Sequence, residues 1–286
     1  MADRVIIFGY GSLMDERSAA STMPTAVNFR RGTLTGYQRV FGLVSISGIK
    51  TKRANVETNE IAALSVVPVE GSSVHGVLFE IPTHELGAYL EREHRYKTIE
   101  VDILEWNGLD DCNTNTSRNV KAWTVVSQTD DDYRTKCGSV EEYHTRAGQY
   151  YSGSLWTRDD IFPMPKYLVS VLLAAYTLGK SGYLTHLLDD TLCANGSTVR
   201  LHCLDVLFGV HNDTMLTQSD LKELLSVSFI SKDIPATTTG LHEGEDAAAA
   251  AAAAEECEGI GNQHVNNKGF SLADYLLVDF EDISLI

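Results

Sequence analysis

At 286 residues, 43% of them hydrophobic, the chain is long enough to bury one large core or two small ones and has the composition of an ordinary soluble protein. Its formal charge of −16, from 39 acidic against 23 basic side chains, speaks against nucleic acid or an anionic membrane as the principal partner. Cys112, Cys137, Cys193, Cys203 and Cys257 make no CxxC pair and the nine histidines are scattered, so a reducing compartment is expected and a dedicated metal site is not.

The most informative stretch comes first. Val5, Ile6, Ile7 and Phe8 suit a buried strand, and Gly9-Tyr10-Gly11-Ser12-Leu13 follows as a loop. Successive backbone N–H groups in such a loop make a cradle for a carboxylate or an oxyanion. By itself a GxG pair reads more readily as a hairpin turn. No Gly-Lys-Ser/Thr and no third glycine follows, which speaks against a phosphate loop or a dinucleotide fingerprint.

Residues 15–22 are polar and predict a short helix or more loop. Strands are predicted at 32–41, 62–68 and 74–81. A helix is predicted at 85–93 with Leu86, Tyr89 and Leu90 as its apolar stripe. It runs straight into an alternating strand at 96–106, with Ile99, Val101, Ile103 and Glu105 on one side. One more strand is expected at 122–127, after a polar loop at 110–119. Several short strands with few helices among them favour a closed or strongly curved sheet over a doubly wound one. The expected class is α+β, a small mixed β-barrel with flanking helices and a C-terminal extension.

From residue 139 onward the pattern turns helical. A helix is predicted at 141–150, and Pro163-Met164-Pro165-Lys166-Tyr167 opens another that reaches 178 and turns Leu168, Leu172, Ala175 and Tyr176 toward a core. A short helix at 183–191, a strand at 198–208 and a helix at 218–226 capped by Thr217 follow. Residues 237–267 lack Lys and Arg and hold eight alanines between acidic clusters, which reads as a solvated linker. The domains expected are 1–192 as the catalytic body, 193–236 as an extension packed on it, 237–269 as a disordered acidic linker and 270–286 as a terminal segment able to dock back. No apolar run reaches the ~20 residues a bilayer span needs, and the N-terminal one is too short for a signal peptide. The expected setting is cytoplasmic, without membrane attachment, as monomer or homodimer.

An acid or base is needed beside the cradle. In Tyr89-Leu90-Glu91-Arg92-Glu93-His94-Arg95-Tyr96, Glu93 stands where a helix should give way to a strand. A carboxylate there can point into a cavity, and desolvation then raises its pKa as a general base near neutral pH requires. Taken alone, the run reads more readily as a solvated helix end. Taken together, the Phe8-to-Leu13 loop, the Arg92-to-Tyr96 run and the Pro163-to-Tyr167 helix start resemble the γ-glutamylcyclotransferase-like superfamily, which includes the glutathione-degrading ChaC-like enzymes. Residues 33–41 and 74–79 also look like its second strand and its pre-catalytic strand.

The resemblance spans about residues 5–190. It implies a small β-barrel with flanking helices, no metal, no organic cofactor and a small-molecule γ-glutamyl substrate cyclised to 5-oxoproline. It also implies Glu93 as the catalytic carboxylate, the backbone of Gly11, Ser12 and Leu13 as the cradle, and Tyr10, Tyr96 and Tyr167 as the pocket lining. Each tyrosine suits an amphipathic core position equally well. Two departures stand out. Arg95 occupies the place of an expected glycine, and Leu90-Glu91 replaces a frequent Leu-Asp, which leaves Glu91 as a rival to Glu93. Alternative readings are a γ-glutamylamine or acyl-carrier cyclotransferase, and a non-enzymatic γ-glutamyl-binding or scaffold protein.

Overall fold

A computed structural model of the chain describes residues 3–106, 118–156 and 158–208. Most of the polar loop at 110–119, the helix expected at 218–226, the acidic linker and the terminal segment lie outside the described residues.

The ring begins with β1 (Arg4–Gly9), which pairs antiparallel with β3 (Glu60–Pro82) from Arg4↔Pro82 to Gly9↔Val77. On its other edge β1 meets β5 (Arg118–Val126) in parallel at Ile7↔Trp123. Then β5 pairs antiparallel with β4 (Lys97–Glu105), and β4 touches β2 (Val27–Val44) at Gly32↔Glu105 and Thr33↔Leu104. Pairing of β2 with β3 along most of their lengths closes a five-stranded mixed barrel. Two short strands, β6 (Phe162–Pro163) and β7 (Thr191–Cys193), add in parallel to β3 and β2.

The strands expected at 62–68 and 74–81 are one continuous strand. The turn residues between them only bend it: Gly36 in β2 and Gly71 in β3 have φ of 78° and 81°, and the β2–β3 register slips between Thr35 and Tyr37. β2 pairs with β3 up to Pro68 and again from Ser73, so the ladder resumes beyond residues that, read locally, look like a break.

The short polar stretch after the loop forms α1 (Glu16–Ala20), and α2 (Ile46–Lys50) follows β2. The helix before β4 is α3 (Leu86–Arg92); it buries Tyr89 completely, but Leu90, expected in its apolar stripe, is exposed. After β5 come α4 (Asp130–Cys137), opened by a Thr129/Asp132 capping box, and α5 (Val140–Tyr143), which widens into a π turn at His144–Gly148.

Three expectations fail beyond that point. The two helices expected at 167–178 and 183–191 are a single 26-residue helix, α6 (Pro165–Asp190). Its internal glycines cost about 1 kcal/mol each against alanine, which the burial of Tyr183, Leu184, Leu187 and Leu188 offsets. Tyr176 faces outward, although Leu168, Leu172 and Ala175 are buried as expected. The segment expected as a strand at 198–208 is helix α7 (Val199–Phe208). Among the described residues no helix is long and apolar enough to cross a membrane.

Against the second half of α6 lies a buried polar cluster. Arg39 is 1% exposed; its Nη2 donates to the His75 carbonyl and its Nε has no partner. The His75 ring stacks 3.8 Å from that of His186, its Nδ1 is 3.1 Å from Thr33 Oγ1, and Trp106 donates to the same hydroxyl at 2.9 Å. Burial pushes His75 down to about 3 and His186 to about 4, the Arg39 charge adding to both shifts, and it holds Arg39 itself near 10.

Candidate active site

The loop after β1 needs its glycines for space. A Cβ on Gly9 would stand 2.7 Å from the Leu13 Cβ, and one on Gly11 would stand 2.7 Å from the Tyr167 hydroxyl. Neither has a positive φ; Gly11 sits at −127°. Ser12–Met14 then forms a 3-10 turn, closed by Met14 N donating to Gly11 O at 2.9 Å. The N–H groups of Ser12 and Leu13 open this turn, where no earlier carbonyl of the turn can take them.

Glu93 is the first residue past α3. Its N–H bonds back to Tyr89 O at 3.0 Å and its carbonyl accepts from Tyr96 N at 2.9 Å, so the backbone turns tightly around it. Its side chain is 13% exposed, and Arg92 Nε reaches Oε1 at 3.2 Å. Arg92 is itself tethered: Nη1 donates to Ser18 O at 2.7 Å and to Thr22 Oγ1 at 3.0 Å, and Nη2 to Ser18 Oγ at 3.0 Å and Ser12 Oγ at 3.3 Å. One guanidinium thus ties α1, the loop and Glu93 together. Burial raises the Glu93 pKa, and the charges of Arg92 and Arg95 offset only part of the rise.

Glu91 has a different environment. Its carboxylate is 67% exposed and takes Arg146 Nη1 at 2.7 Å, which lowers its pKa. It points away from the base's requirements: solvated, paired and acidic.

All seven residues singled out in the sequence, Tyr10, Gly11, Ser12, Leu13, Glu93, Tyr96 and Tyr167, line one open pocket. Phe8, Leu64 and Val125 supply its apolar walls. Two of the tyrosines are braced against the barrel, Tyr10 donating to Val125 O at 2.9 Å and Tyr96 to Leu64 O at 2.7 Å. The Tyr167 hydroxyl donates to no acceptor among the described residues; burial pushes its pKa up to about 12, the backbone of Leu64 and Ser12 restraining the rise. Its proton is available to a ligand. Among the described residues no group of three or more His, Cys, Asp and Glu side chains is placed to hold a metal.

The walls Leu64 and Val125 and the tether Arg92 were not anticipated. Which face of β3 or β5 meets the pocket depends on how the barrel closes, and no local pattern carries that. Arg92 had one available signal: its place inside the charged run next to Glu93.

The family model described as ChaC-like protein matches residues 5–146. Over that stretch the chain is similar to ChaC-like proteins, a group of the γ-glutamylcyclotransferase-like superfamily. Six of the seven residues singled out in the sequence fall within the matched stretch, and Tyr167 arrives from α6 beyond it. Among solved structures, the chain is similar to a γ-glutamyl cyclotransferase at 12% identity, over 79% of this chain and 99% of that one, with a TM-score of 0.40. A human protein described as uncharacterised is similar at 13% identity over 78% and 98%, TM-score 0.42. A yeast γ-glutamyl cyclotransferase specific to glutathione is similar at 14% identity over 60% and 86%, TM-score 0.37. No curated protein matches by sequence.

Proposed function

We propose that this ChaC-like chain is a γ-glutamylcyclotransferase that converts a γ-glutamyl peptide into 5-oxoproline and the released amine, with Glu93 as its acid and base. The observation that carries this reading is the buried Glu93 carboxyl, its pKa raised by desolvation, facing the same pocket as the backbone of Gly11, Ser12 and Leu13 and the Tyr167 side chain.

The nucleophile belongs to the substrate. Glu93 takes a proton from the α-ammonium, the freed amine attacks the γ-carbonyl carbon, and a five-membered ring closes through a tetrahedral oxyanion whose ring nitrogen releases its second proton to solvent. The C–N bond to the leaving group then breaks, and the protonated Glu93 returns its proton to the departing nitrogen. An ordinary carboxylate is too weak a base for the first step, and the desolvated Glu93 lies closer to the required range. Because the attack is intramolecular, much of the barrier is met by holding the donor folded in the attack geometry. The backbone of Gly11, Ser12 and Leu13 holds the α-carboxylate or the oxyanion, Tyr167 donates its free proton to the same negative charge, and Tyr10 and Tyr96 shape the wall. Cys137, Cys193 and Cys203 are free thiols, which suits a reducing, cytoplasmic setting.

The test is 5-oxoproline release from glutathione and from a γ-glutamyl dipeptide by wild type, Glu93→Gln and Glu91→Gln, each first verified as folded by circular dichroism. Glu93→Gln should lower kcat by about 10²- to 10⁴-fold with little change in KM, while Glu91→Gln turns over as wild type does. Folded wild type releasing nothing from either donor would overturn the reading.

A further inference from the structure

The guanidinium beside the pocket's carboxylate is shared among many partners. The Arg92 and Glu93 side chains are 12% and 13% exposed, and a desolvated arginine and carboxylate are best matched through both arms of the planar fork. Here they share one hydrogen bond, Nε donating to Oε1 at 3.2 Å. The neighbouring arm, Nη2, could reach a second carboxylate oxygen, but it donates to hydroxyls instead, Ser18 Oγ at 3.0 Å and Ser12 Oγ at 3.3 Å. Nη1 is held by Ser18 O at 2.7 Å and Thr22 Oγ1 at 3.0 Å. A guanidinium has five N–H groups, and the four on its Nη arms all end on neutral oxygen.

Most of those oxygens are placed by α1. Asp15 caps the helix by accepting from Arg17 N at 2.8 Å, and Ser18 is carried inward, where it is 5% exposed. Thr22 follows in the turn that closes the helix, its N–H bonded to Ala19 O at 3.1 Å. Neither Ser18 nor Thr22 lines the pocket, so whatever they do for Glu93 passes through Arg92.

We propose that Ser18 and Thr22 are positioning residues: by engaging the Nη arms of Arg92 they limit its contact with Glu93 to a single hydrogen bond and leave that carboxylate able to take and return a proton. The inference rests on the cyclotransferase reading for its place in the reaction and deepens it. A fork closed on both oxygens would hold Glu93 ionised and make it a weaker base. Of the other groups facing Glu93, Arg95 adds a second positive charge from the same turn, and Tyr10, Tyr89, Tyr96 and Tyr167 stay neutral, their hydroxyls pushed up by burial. Ser18→Ala removes the nearer acceptor of Nη2 and leaves the Ser18 carbonyl tether in place, so the freed arm turns to Glu93.

The protonation of Glu93 can be followed without turnover, from its side-chain carboxyl resonance in the full chain labelled with ¹³C-glutamate, assigned by its loss in Glu93→Gln. Ser18→Ala should move the titration midpoint down by about half to one pH unit, and Thr22→Val should move it less in the same direction. Thr22→Ser, which keeps the hydroxyl, should titrate as wild type does. The acid limb of kcat/KM for 5-oxoproline release should shift in the same order, whereas a purely structural role would lower Tm or the plateau and leave the midpoint in place. A midpoint in folded Ser18→Ala that stays put or rises would overturn the proposal; if that variant does not fold, Thr22→Val decides by the same sign. If folded wild type releases no 5-oxoproline, the cyclotransferase reading has failed, and the resonance midpoints decide on Ser18 and Thr22 separately.

Discussion

The barrel buries two polar clusters, and burial does opposite things in them. At the pocket, desolvation moves the Glu93 carboxyl up, toward neutral pH, where it can give and take a proton. Against the second half of α6, desolvation and the nearby Arg39 charge move His75 and His186 down, to about 3 and about 4, where the rings stay neutral and serve as packing between Trp106 and Tyr183. The histidines are strongly perturbed, yet the contacts of the His75 ring are with Thr33, His186, Trp106 and Tyr183, none of which lines the pocket. A shifted pKa therefore points to chemistry only when the shift runs toward the working pH and the group faces space that a substrate can enter.

The contrast is broken most directly at the tightest point of the pocket. Gly11→Ala places a Cβ 2.7 Å from the Tyr167 hydroxyl and must displace either the loop or the helix start. We expect kcat/KM for 5-oxoproline release to fall by about 100-fold, since displacements near 1 Å are enough for that. Turnover at the wild-type level would mean that the loop and Tyr167 do not act together.

Arg92→Gln sharpens the same side with a smaller effect. It removes the largest charge holding the Glu93 pKa down and cuts the tether to Ser18, Thr22 and Ser12. The acid limb of the kcat/KM profile should move to higher pH, with a loss of about 10-fold at its plateau. A limb that does not move would remove Glu93 from control of the profile.

The smallest effect on activity belongs to the other cluster. The folded pKa of His75, about 3, lies below its ordinary 6.5, so the unfolded chain takes the proton first. The stability tied to the neutral ring is present in full above pH 6.5 and is lost as the pH falls from there toward the folded value. His75→Phe should flatten the decline of Tm between pH 6.5 and 4 and change kcat/KM at neutral pH by less than about threefold. A large loss of activity at neutral pH would tie the two clusters together.

The pocket was more legible in the sequence than the scaffold around it. Gly9 to Leu13 and Arg92 to Tyr96 are contiguous runs whose residue types and order can be read without knowing what packs on them. The second half of the fold depends on partners. In α7 the order Val199, Leu201, Cys203 alternates as a strand would, but the structure buries Val199 and Cys203, one helical turn apart, and leaves Leu201 45% exposed. In the same way, Leu90 and Tyr176 continue an apolar stripe on paper that no surface covers among the described residues. The seam between the two expected strands of β3 vanished because β2 runs alongside it without a gap long enough to end the ladder.

The contact between Gly11 and Tyr167 also has a meaning in time. All five strands of the ring have been made once synthesis reaches Val126, and with them the loop, Arg92 and Glu93. The hydroxyl that completes the pocket arrives only with α6. A nascent chain can therefore hold its barrel and its base together before it has anything to close over a substrate, and competence comes with the docking of one helix.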